Sequence, residues 1–162
     1  MAKREADRGA SVVDEATLGL VTALEVRQAV RLQHYVSLLE IRMRPPADPR
    51  LASALADIIG VQIRGSDLIG VTDDPCLIRV LLVAAPLSAL PTVIGRITRA
   101  VNHRVFTLGR HRSPVGLAIG GSTFPTPAGT HLELVTQATA LATAAWEDRS
   151  AEHHFRLAGL GQ

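Results

Sequence analysis

RGSDLIGVTDDPCLIRVLL, residues Arg64 to Leu82, decides how this chain reads. It opens on a charged Arg-x-x-Asp, then runs through Leu68-Ile69-Gly70-Val71, the acidic Asp73-Asp74-Pro75, and a second apolar run from Leu77 to Val83. Two short β-rich runs parted by Asp, Asp and Pro predict a hairpin, because Asp bonds its own backbone in turns and Pro presets φ there. An arginine and an aspartate three residues apart thus stand just ahead of the first strand of a hairpin. The chain before it is expected to supply a helix and a strand that pack on it, and the chain after it to close the sheet.

Outward from the hairpin, helical and strand periods alternate. Residues 1 to about 14 are charged and small, and are expected to be a flexible lead-in. Glu15 to Gln33 predicts a helix, with Leu20, Ala23, Leu24, Arg27, Val30 and Arg31 at helical spacing. Val36 to Met43 predicts a strand stopped by Pro45-Pro46. Leu51, Leu55, Ile58, Ile59 and Ile63 mark a second helix with one apolar face, and Leu87, Leu90, Ile94, Ile97 and Val101 a third. His103 to Leu108 and Val115 to Ile119 read as a strand pair around the basic turn Gly109 to Ser113. Leu132 to Trp146 is the last long helix, and the tail after it reads as an edge strand or loose chain. The order α-β-α-β-β-α-β-β-α predicts an α/β fold, specifically an α+β sandwich, with a central, mostly antiparallel sheet flanked by helices. The domain is expected over 15–150, between the 1–14 lead-in and a 151–162 tail.

Composition bounds the function. The 162 residues suit one domain with its own core, and at 47% hydrophobic but only 3% aromatic that core must be aliphatic. A net charge of +2 does not support a general nucleic-acid surface. Arg96, Arg99, Arg104, Arg110 and Arg112 do cluster with no acid between them, which offers a nucleic-acid grip. They spread over helix, strand and turn without interleaved aromatics, so nucleic acid is the weaker reading. A single cysteine excludes an internal disulfide and suits a reducing cytoplasm, so a cytoplasmic location is expected. No apolar run approaches the roughly 20 residues of a membrane helix, and no membrane insertion is expected.

The residues of the hairpin and its neighbours resemble the GGDEF domain of diguanylate cyclases. In that family an RxxD motif precedes the GGDEF signature by the spacer that here separates Arg64 and Asp67 from Asp73-Asp74-Pro75-Cys76-Leu77. QAVRLQHYVSLLEIR resembles the family's first helix and strand, RAxRxxxxLSLLLLD, with Gln28-Ala29 in place of Arg-Ala, Arg31 on the next arginine, and Ser37-Leu38-Leu39 on the strand. VGLAIGGSTFP resembles the family's later strand and turn, and the final helix matches with Thr143 and Trp146 in place of Tyr and Lys.

The resemblance implies that the reaction machinery is gone. Joining two GTP molecules needs a divalent metal held by carboxylates. The family's first-strand aspartate is Arg42 here, the glycines of its turn are Asp73 and Asp74, and its phosphate-binding lysine is Trp146. The loop that contacts the substrate base is about ten residues too short at Pro45 to Pro49. No catalytic residue, metal or cofactor is therefore expected, and the chain is read as no enzyme.

The family's RxxD is its product-inhibition site, which binds cyclic di-GMP. Arginine can engage O6 and N7 of guanine with its two-pronged donors, and a carboxylate suits the N1–H and N2–H₂ edge. The family adds an arginine from the helix after the hairpin, and Arg96 falls there after one residue of insertion. Arg31 stands as a further arginine from the first helix. The expected ligand set is Arg64, Asp67, Arg96 and Arg31. The expected function is a catalytically inactive cyclic di-GMP receptor, joined by ligand-linked homodimerisation or by a protein partner. Its rivals are a ligand-free protein-interaction domain and a nucleic-acid regulator.

Five readings have plainer counterparts. Arg64 and Asp67 also read as a surface ion pair capping a helix end. Asp73-Asp74 reads as an exposed turn before it reads as a metal site. Cys76 reads as a core residue of the strand, and Gly120-Gly121 as a bulge or bend. His153-His154 reads as a polar tail, since neighbours in a strand point apart.

Overall fold

The computed structural model describes residues 9–44, 49–104, 106–108, 111–113, 115–148 and 153–159. In chain order these form β1 (Ser11–Asp14), α1 (Glu15–Leu32), β2 (Val36–Met43), α2 (Pro49–Gly60), β3 (Leu68–Val71), β4 (Leu77–Val83), a short 3₁₀ turn (Leu87–Ala89), α3 (Leu90–Asn102), β5 (Phe106–Leu108), β6 (His111–Ser113), β7 (Leu117–Phe124), α4 (His131–Glu147) and β8 (His153–Leu157). Six strands make one mixed sheet in the order β1-β3-β4-β2-β7-β8, and β5 pairs with β6 in a separate ribbon. The central pairings β3–β4, β4–β2 and β2–β7 are antiparallel, while the outer strands β1 and β8 join in parallel. This is the predicted α+β architecture.

Helices cover both faces. β2 runs through the middle and is buried along nearly its whole length, which is why VSLLEIRM shows almost no alternation. Leu39, Ile41 and Met43 face a core with Leu55, Ile59, Ile94 and Ile97 from α2 and α3. Val36 and Leu38 face the opposite core with Leu18, Val26, Ala29, Leu134 and Ala138 from α1 and α4. Each fully buried aliphatic side chain of this kind contributes roughly 1.5–3 kcal/mol. The helix starts are capped: Asp14 Oδ1 accepts from Thr17 N–H at 2.7 Å and Thr130 Oγ1 from Glu133 N–H at 3.1 Å.

Five expectations need correction. The lead-in is structured from Ser11: β1 pairs with β3, and β8 adds a strand from the tail, so the sheet takes in residues on both sides of 15–150. α1 is a helix as read, and the face it buries, which the spacing alone leaves unassigned, carries Leu18, Thr22, Val26 and Ala29, while Leu20, Leu24 and Val30 are exposed. Both faces of this helix carry apolar residues, so period alone could not choose between them. Val115 to Ile119 does not pair with the preceding segment; Leu117–Phe124 lies between β2 and β8, and β5 pairs with β6 instead. Gly120 and Gly121 sit in regular ladder positions, and at Gly120 a Cβ would run into the α4 backbone at Ala138 and Ala142. That glycine lets helix and strand approach. Cys76 lies in the turn ahead of β4, half-buried, and is no core strand residue. His153 and His154 begin β8, the edge strand.

Candidate functional site

The RxxD segment forms a knot of backbone bonds between the end of α2 and the end of β4. Asp67 N–H donates to the Arg64 carbonyl at 3.0 Å, and Arg64 N–H donates to Asp67 Oδ2 at 2.9 Å. The other oxygen, Oδ1, accepts from Val83 N–H at 2.9 Å. Asp67 is only 4% exposed, and burial pushes its carboxyl above the usual aspartate range against the opposing pull of those two amides and the Arg64 charge. Asp67 thus ties two chain segments together through its two carboxyl oxygens. In place of the side-chain ion pair that is the plainer reading of these two residues, the Arg64 backbone N–H bonds the carboxyl.

Arg64 and Arg96 lie beside that knot, both exposed. Together with Asp67 they line one hollow of about 60 Å³, walled by Val83 at the end of β4, by Ala85 and Pro86 after it, and by Ala89 and Val93 before Arg96. Three residues from the α2–β3 connection and from α3 therefore meet at one place. Among the described residues neither guanidinium has a hydrogen-bond or ion-pair partner. Arg31 is not brought there. It ends α1, exposed, on the layer that covers the opposite sheet face from α2 and α3.

The other end of the sheet is built differently. Arg42 projects on the α4 side of β2 and lies 3.4 Å from Glu40 Oε2. Glu40, whose side chain is 1% exposed, also holds Arg79 Nε at 3.1 Å and Thr139 Oγ1 at 3.2 Å. Arg79 reaches on to Glu15 at 3.0 Å. Arg44 stacks on the Trp146 ring, 4.8 Å from its centroid, and its Nη2 donates to the carbonyls of Trp146 at 2.6 Å and Asp148 at 3.1 Å. A guanidinium there satisfies the last carbonyls of α4 and meets the negative end of its dipole.

These contacts escaped sequence reading. Glu40 and Arg79 are charges inside apolar strands, which was the available signal: such a residue must find a partner. Their pairing depends on the β2–β4 register, which sets Glu40 opposite Arg79.

A magnesium ion does not fit this end. Arg42 offers a cation where a ligand is needed, and its Nε is buried without a hydrogen-bond partner. In the turn, Asp74 Oδ1 accepts from Cys76 N–H at 2.9 Å. Among the described residues no three His, Cys, Asp or Glu side chains gather as a ligand set. Partial burial and the nearby Asp74 charge push the Cys76 thiol up, away from a reactive thiolate. Among the described residues no helix is long and apolar enough to cross a membrane.

No family model and no curated protein matches this chain. Solved structures do. The GGDEF domain of TpbB (YfiN) from Pseudomonas aeruginosa superposes with a TM-score of 0.80 at 21% identity, over 92% of this chain and 91% of that one. The active GGEEF domain of a diguanylate cyclase from Vibrio cholerae gives 0.77 at 11% identity, over 91% and 98%. DgcB from Caulobacter crescentus, solved as coiled coil and GGDEF domain with cyclic di-GMP, gives 0.72 at 8% identity, over 91% and 82%. At such identities the likeness reaches the backbone arrangement and no further, and that arrangement is the fold of a GGDEF domain.

Proposed function

We propose that this chain is a GGDEF-fold domain that binds cyclic di-GMP through Arg64, Asp67 and Arg96 and does not synthesise it. One observation carries the reading: the RxxD pair and an arginine far along the sequence line the same hollow. The exposed guanidiniums would take the O6/N7 edge of a guanine and a phosphate. Asp67 keeps acceptor capacity on each oxygen, since a carboxylate oxygen has two lone pairs and one backbone amide uses one.

A hollow of about 60 Å³ takes the edge of a base and leaves the rest of the ligand uncovered. That favours a stacked ligand pair shared with a second copy, and Arg31 would enter such a site only from that copy. Synthesis is disfavoured because the metal-holding position is Arg42 and the phosphate-binding position is Trp146, which stacks on Arg44.

Calorimetric titration with cyclic di-GMP tests this. The expected result is micromolar binding, weakened at least about tenfold by Arg64→Ala and by Arg96→Ala, roughly 1.4 kcal/mol each. Arg31→Ala is expected to reduce ligand-linked dimerisation in sedimentation without removing binding. With GTP and magnesium no cyclic di-GMP is expected.

The rival reading, a protein-interaction domain, has its own support. Leu20 and Leu24 stand 63% and 46% exposed on α1, flanked by Arg27 and Arg31. No heat at near-millimolar ligand would favour it and overturn the receptor, whereas steeply salt-dependent DNA or RNA binding would favour the nucleic-acid regulator.

A further inference from the structure

A second cleft opens on the other flank of α3. Its volume is about 330 Å³, near the lower end of small-molecule pockets. It arises from the width of the sheet. α4 packs across β2, β7 and β8 on one face, and β8 stands as the outermost strand. Ile119 of β7 and Phe155 of β8 are register partners, but Ile119 is 1% exposed and Phe155 44%. The trench between α3 and the Phe155 ring is the space the helix leaves uncovered.

The wall on α3 is one stripe. Gly95, Arg99 and Asn102 recur at helical spacing and line the cleft, with Ile94 and Ile119 beneath. Arg96 projects about 100° round the helix from Gly95, so the two hollows are separate. At Gly95 a Cβ would meet nothing within 4 Å. Packing therefore does not require glycine there, although a mid-helix glycine costs about 1 kcal/mol against alanine. Its effect is to bare the helix backbone and widen the trench.

We propose that this cleft binds a flat bicyclic aromatic anion. The ring would lie between Phe155 and the bare backbone at Gly95, over Ile94 and Ile119, where it would cover exposed aromatic surface and rest on aliphatic side chains. The anionic group would reach the exposed Arg99 guanidinium at the rim, beside the Thr98 hydroxyl. Among the described residues no acid lines the cleft to oppose that charge.

The probe is 2-naphthoate, followed by amide NMR on the whole chain. The expected result is saturable shifts at Gly95, Thr98, Asn102 and Phe155 with a Kd below about 1 mM. The neutral analogue 2-naphthalenemethanol is expected to bind about fivefold more weakly, and Arg99→Gln to remove that difference by weakening only the anion. Gly95→Leu, which points into open space, is expected to abolish both, as is Phe155→Ala, while Gly95→Ala still folds. Shifts that do not saturate by about 5 mM would overturn the proposal, as would shifts confined to Arg64 and Arg96 or affinity indifferent to Gly95→Leu.

Discussion

Arginines crowd two ends of this molecule, and the chain treats them in opposite ways. At the turn end of the sheet each is held: Arg79 between Glu15 and Glu40, Arg42 on Glu40, Arg44 on the last carbonyls of α4 and the Trp146 ring. At the α2–α3 end, Arg64 and Arg96 stand exposed, and among the described residues nothing partners them. A guanidinium already bonded to a carboxylate must give that up before it can take a ligand; one left in water gives up only hydration. The same residue type is thus part of the frame at one end and available for binding at the other.

The contrast breaks most sharply at Glu40. Glu40→Leu leaves Arg42 and Arg79 partly buried with only Glu15 near, and the expected loss is about 3 kcal/mol, the low end for an orphaned buried charge because both arginines keep some contact with water. The midpoint of urea unfolding reads it. Cyclic di-GMP affinity of the folded variant is expected to stay unchanged. Arg64→Ala should do the reverse, changing stability by less than about 0.5 kcal/mol while removing affinity. If Glu40→Leu unfolds at the parent midpoint, the turn end is no frame.

Asp67 belongs to both sides. Asp67→Ala strands the amides of Arg64 and Val83, at an expected cost of about 2 kcal/mol by urea unfolding, and lowers ligand affinity as well. A loss of affinity with full stability would mean the carboxylate serves the ligand alone. Arg44→Ala comes next, at about 1 kcal/mol, from the stacked ring and the uncapped carbonyls of α4. Thermal unfolding that matches the parent would show that water replaces the cap without loss.

The hairpin was legible because its signals are local: Asp and Pro at the turn and two short apolar runs bound β3 and β4 at Leu68, Val71, Leu77 and Val83. Arg64, Asp67 and Arg96 were legible through the family resemblance rather than by any local signal, and the fold brings the three to one hollow. What escaped depended on partners distant in sequence. α1 has apolar residues all round, and only the sheet beneath selects Leu18 over Leu20. Glu40 finds Arg79 through strand register, and Arg44 finds the end of α4 across the fold. β8 joins the sheet in parallel, a pairing that no turn signal announces.

The smallest expected effect concerns the Asp67 carboxyl. Burial raises its folded-state affinity for a proton above that of the unfolded chain. Between the ordinary aspartate value and that raised value, the native state binds the extra proton, so this site's contribution to stability falls as pH rises through the window. Asp14, whose Thr17 bonds hold it low, keeps its own dependence in parent and variant alike. The difference in unfolding free energy between the parent and Asp67→Asn isolates the one group. That difference should shrink as pH rises above the ordinary aspartate value, with a slope no steeper than about 1.4 kcal/mol per pH unit. A difference that grows with pH would mean that the two amides and Arg64 outweigh burial. Asp67 would then be held ionised at the hollow, and a guanine edge would meet full charge there from the start.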